Sequence, residues 1–74
     1  MKKKDLLKHL AKIFEKKSLS EESNLKDLEF DSLIGLDITT FNDEHFPELK
    51  IEYEKIQKSK NIKDLIKLYG DKII

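Results

Sequence analysis

The residues of this 74-residue chain best suited to chemistry are Asp31-Ser32-Leu33. The triplet stands where a mixed loop gives way to an apolar-periodic segment, so either Asp31 or Ser32 can cap a helix that starts there. Gly35, rather than Glu or Gln, stands three residues after Ser32, so a reciprocal capping box is missing. A serine hydroxyl at a helix N-terminus is exposed but weakly nucleophilic, and neither His9 nor His45 lies next to it in sequence. No base, nucleophile and orienting group converge, which makes an enzyme the least supported class. The chain has no cysteine, which excludes disulfides, thiolate zinc sites and a cysteine nucleophile. His45 with Asp43 and Glu44 makes a poor metal set, because neighbours this close lie on different helix faces. The acids Asp37, Asp43 and Glu44 form either a solvated face or a docking face for a basic partner.

Several helices must position these residues. Leu6, Leu7, Leu10, Ile13 and Phe14 form one stripe, and the spacing predicts a helix over about 3–17. The stretch from Ser18 to Asp31 is long for a connection, yet Leu19, Leu25, Leu28 and Phe30 recur in it. It is expected to lie across a core. A second helix is expected from about Ser32 to His45, with Leu33, Leu36, Phe41, Ile34 and Ile38 on its apolar side. Gly35 and Thr39-Thr40 weaken its propensity, and Pro47 ends it. Ile51 to Ile56 suggests a short third helix. Ile62, Leu65, Ile66 and Tyr69 stripe a last one, capped by Ser59 or Asn61 and stopped by Gly70. Valine is absent and alternation is poor, which argues against strands. The expected architecture is all-α: a small bundle of three main helices and a short one, forming one domain over residues 1–74.

The net charge is zero, but it is segregated: residues 1–17 carry +5, 18–54 carry −9 and 55–74 carry +4. Such blocks matter more for steering partners than for folding. The Lys-rich first helix does not read as a nucleic-acid surface, since aromatics do not interleave with the lysines and the chain has no arginine. Its apolar stripe is needed to close the bundle, which leaves little for a membrane surface. Apolar runs never exceed two residues, too short to span a bilayer. A basic start with no apolar signal core behind it leads to the expectation of a soluble cytoplasmic monomer.

Asp31-Ser32-Leu33 at the start of a second helix, in a four-helix chain of this length, resembles the acyl carrier protein family. The resemblance continues in Leu36-Asp37-Ile38, an aliphatic-acidic-aliphatic step, and in Asp43-Glu44-His45-Phe46, an acidic cluster closing on phenylalanine. It extends through the short segment from Ile51 to Ile56 and through Ile62-Lys63-Asp64-Leu65-Ile66, so it covers the whole chain. It implies a 4′-phosphopantetheine arm on Ser32, flanked by Asp31 and Leu33 and added from coenzyme A by a phosphopantetheinyl transferase. The serine is then an attachment point, with its phosphodiester near the positive end of the helix dipole. The resemblance also implies that Asp37, Asp43 and Glu44 dock acyl-transferring or synthase enzymes, most commonly in fatty acid synthesis. The chain departs from the family pattern at Glu29, where a glycine is common, in its neutral charge, and in the polar run Thr39-Thr40-Phe41-Asn42. The last departure suggests a short or polar cargo, as on a dedicated carrier for a polyketide, aminoacyl or cell-surface pathway. Independently of the family, a helical interaction module without a prosthetic group is the competing reading.

Overall fold

In the computed structural model, which describes residues 1–74, the elements run α1 (Lys3–Ile13), α2 (Ser32–His45), α3 (Tyr53–Lys58) and α4 (Ile62–Lys67). A 3₁₀ turn (Gly70–Lys72) follows. There are no strands, and only an isolated antiparallel bridge joins Asn24 to Asn61. The fold is a small four-helix bundle, as the periodicity predicts. Leu6, Leu10 and Phe14 of the first stripe are buried against Leu25, Ile38, Phe41, Phe46, Ile56, Ile62, Leu65 and Tyr69.

The first helix ends at Ile13, short of the expected residue 17. Its apolar stripe stops at Phe14, and the chain then turns back through Glu15, which holds a left-handed φ of 58°. The Lys16 N–H donates to the Ala11 carbonyl at 2.8 Å and the Glu15 N–H to that of Lys12 at 3.1 Å. These are the two bonds of a Schellman turn, here with glutamate in the position that usually takes glycine. The last helix is also shorter than expected: regular α geometry stops at Lys67, and a 3₁₀ turn follows Tyr69. Gly70 does adopt a left-handed conformation (φ 59°), but it redirects the chain into that turn.

The long connection lies across the core, as its leucines suggest. Leu25 is buried, and Leu19, Leu28 and Phe30 pack against the cluster. Backbone bonds fasten it to the start of α4: Leu25 N–H to Lys60 at 2.9 Å, Ile62 N–H to Ser23 at 3.0 Å and Lys63 N–H to Glu21 at 2.9 Å. Asn61 caps α4 by accepting from the Asp64 N–H at 2.9 Å, and Asp64 in turn accepts from the Lys60 N–H at 3.0 Å. No helix is long and apolar enough to cross a membrane.

Candidate functional site

The site is built from the turn before α2 and the exposed side of that helix. Leu28 and Phe30 bond back to Leu25, and the Glu29 N–H donates to the Lys26 carbonyl at 3.2 Å. Glu29 sits at φ 58°. The Phe30 N–H to Leu25 bond and the Glu29 N–H to Lys26 bond make a second Schellman turn, again with glutamate at the left-handed position. A glycine would hold this backbone without steric strain. Glu29 thus holds a backbone conformation that suits glycine.

Asp31 is the N-cap of α2. Its backbone is extended (φ −138°, ψ −177°) and its Oδ1 accepts from the Ile34 N–H at 2.9 Å. Ser32 is the first helical residue, not the cap, and it is exposed. Its hydroxyl makes no hydrogen bond within the chain, so the helix does not consume it. The macrodipole puts partial positive charge at that end, which favours an anion on Ser32.

The helical period brings Leu33, Leu36, Asp37, Asp43 and Glu44 to one exposed side, with Ser32 at its edge. None of the three acids takes part in an ion pair; the salt bridges of the chain lie elsewhere, as between Lys3 and Glu21 at 3.1 Å. Leu33 and Leu36 were expected on the apolar side of α2, and the structure corrects this: they are 69% and 55% exposed. The buried face is instead Gly35, Ile38, Phe41 and Asn42, with Ile34 half-buried beside it. α2 therefore presents leucine and carboxylate together to solvent, beginning at the serine.

The polar run on α2 divides. The Thr39 and Thr40 hydroxyls donate to the carbonyls of Gly35 and Leu36 at 3.0 and 3.1 Å, within their own helix. Asn42 is buried and accepts a short hydrogen bond from the Tyr69 hydroxyl, while its Nδ2 has no partner. Burial pushes the Tyr69 phenol well above its usual range, and the bond to Asn42 opposes the shift only in part. Sequence reading missed this pair because an asparagine in a polar run carries no mark of burial.

The histidines meet at the other end of α2. The His9 ring lies 5.3 Å from that of His45, and Phe41 packs 5.1 and 4.5 Å from the two. A 14-residue helix spans about 20 Å, which keeps this cluster well away from Ser32. No three His, Asp or Glu side chains gather as a metal-ligand set. Chemically, the site can present an exposed hydroxyl at a helix N-terminus and a mixed apolar-acidic face. No protein-family model, curated protein or solved structure matches the chain.

Proposed function

We propose that this chain is a carrier protein that takes a 4′-phosphopantetheine arm on Ser32. The observation carrying this reading is the exposed, uncommitted Ser32 hydroxyl at the first position of α2, held there by the Asp31 cap. The residues fit the group: the hydroxyl faces solvent, and the helix N-terminus offsets the charge of a phosphodiester. The Ser32 oxygen becomes the new bond to phosphorus as coenzyme A loses its nucleotide half. Its proton leaves to a base on the transferase, since both histidines of the chain lie at the far end of α2. When attached, the arm supplies a terminal thiol, the function a cysteine-free chain lacks, and carries acyl groups as thioesters. The chain itself contributes position and recognition, not catalysis.

Partner enzymes then meet the side of α2 where Leu33 and Leu36 stand beside Asp37, Asp43 and Glu44. Apolar contact gives such an interface its core, and exposed carboxylates steer a basic partner. Fatty acid synthesis is the broadest setting for such a carrier. One observation favours a dedicated carrier with a short or polar cargo. Asn42 and Tyr69 form a polar pair in the core, where a stored alkyl chain would meet an amide donor it cannot satisfy. Wall taken up by that pair is lost to an alkyl chain, and each methylene left unburied forgoes roughly 0.8 kcal/mol.

The test is direct. With coenzyme A, magnesium and a broad-specificity transferase, the intact mass should rise by one arm, and Ser32→Ala should abolish the gain. An unmodified parent would refute the carrier reading and leave the interaction-module reading in its place.

A further inference from the structure

A groove of about 410 Å³ opens on the α1 side of α2; Ser32 itself stands outside its lining. Both neighbours of the serine, Asp31 and Leu33, line it. Half of its lining is apolar: Ile13 and Phe14 at the end of α1, Leu28 from the connection, and Leu33 and Ile34 from the first turn of α2. Lys16 is the one cation on a rim otherwise made of carboxylates. On the side of α2 that faces α3, a Cβ added to Gly35 would fall 2.6 Å from Tyr53 Cε2, so the Tyr53 ring lies directly against the helix backbone there.

Building on the carrier reading, we infer that this groove is the resting site of the 4′-phosphopantetheine arm, which folds back toward α1 rather than toward α3. The chemistry of the arm matches the lining. Its paired methyl groups suit the aliphatic residues of the lining and cover Leu33, which otherwise stands 69% exposed. Its two amide N–H groups find carboxylate acceptors along the rim. Its phosphodiester is attached between Asp31 and Leu33, two lining residues of the groove whose one cation is Lys16. A docked arm keeps its thiol close to the protein between encounters, and a partner that covers the exposed side of α2 meets it from the groove.

The experiment compares the full chain before and after modification, using ¹⁵N-labelled protein whose added arm has been verified by mass. The amides of Ile13, Lys16 and Leu28 should shift on modification, while those of Tyr53 and Ile56 stay in place. Toward a neutral aromatic disulfide, the arm thiol should react severalfold faster in Lys16→Glu than in the parent, and the Ile13 and Leu28 shifts should shrink. Shifts confined to Asp31–Leu36, or shifts reaching Tyr53 and Ile56 instead, would overturn the inference while leaving the carrier reading intact. A chain that takes no arm at all would overturn both, and the mass alone reports that.

Discussion

The Asn42–Tyr69 pair ties α2 to the end of α4 through the core, and its strength can be read from a double-mutant cycle. Tyr69→Phe removes the donor and leaves an Asn42 amide with neither of its groups bonded. Leaving a buried acceptor unpaired costs about 1–3 kcal/mol. Asn42→Leu strands the Tyr69 hydroxyl instead, but it also removes the Nδ2 that is already without a partner. It should therefore cost less than Tyr69→Phe. The double variant removes both partners and leaves apolar groups of similar shape, so it should fall within about 1 kcal/mol of the parent or exceed it. The expected coupling is about 1–3 kcal/mol. In a domain of this size each kcal/mol moves Tm by about 4–8 °C, well within reach of melts followed by circular dichroism.

Burial of the Tyr69 phenol adds an alkaline limb to stability. The Tyr69 phenol is raised in the folded chain, so above about pH 10 the unfolded chain releases its proton while the folded chain keeps it. With fewer protons bound in the unfolded state, stability falls as pH rises. The advantage of the parent over Tyr69→Phe should thus be complete near neutrality and shrink above about pH 10. If the single costs simply add in the double variant, the hydrogen bond is not the tie described; if that gap holds constant into alkali, burial does not raise the phenol.

Asp31→Ala should lower stability by about 1 kcal/mol through loss of the α2 cap, whereas Asp31→Asn should keep most of it, as both melts would report. If modification of Ser32 also falls in Asp31→Asn, the charge is being read and not only the cap. Reversing Asp37 and Asp43 together should slow modification at low salt with the helical signal unchanged, and the difference should fade as salt screens it. Glu29→Gly relieves a left-handed glutamate that costs about 1–2 kcal/mol, against up to about 1 kcal/mol of added unfolded-state freedom. A small rise in Tm should result.

Much of the bundle is legible in the chain because amphipathic spacing is a local signal. The stripe from Leu6 to Phe14 and the Pro47 stop both mark elements that form. What spacing cannot tell is which of two apolar faces meets the core. Leu33 and Leu36 read as interior by residue type, yet α2 turns Gly35, Ile38, Phe41 and Asn42 inward, because Gly35 admits the Tyr53 ring against the backbone. The early end of α1 was hidden for a different reason. Its turn uses a left-handed glutamate, and glutamate carries no sign of that conformation. The Asp31-Ser32-Leu33 triplet marks the helix start, whereas only the Ile34 bond distinguishes Asp31 from Ser32 as the cap. The meeting of His9 with His45 depends on how α1 packs against α2, which no local pattern records.

The backbone bonds that hold Ser23, Leu25 and Glu21 to the first residues of α4 also divide the molecule by exchange behaviour. Amide protons on Leu25, Ile62 and Lys63 can meet water only when the connection and α4 part, so these protons are lost in one opening event. α2 contributes no bond to that seam. Its first turn is closed instead by Asp31, whose Oδ1 accepts from the Ile34 N–H and whose carbonyl accepts from the Gly35 N–H. Exchange at the start of α2 should therefore be uncoupled from exchange at the seam.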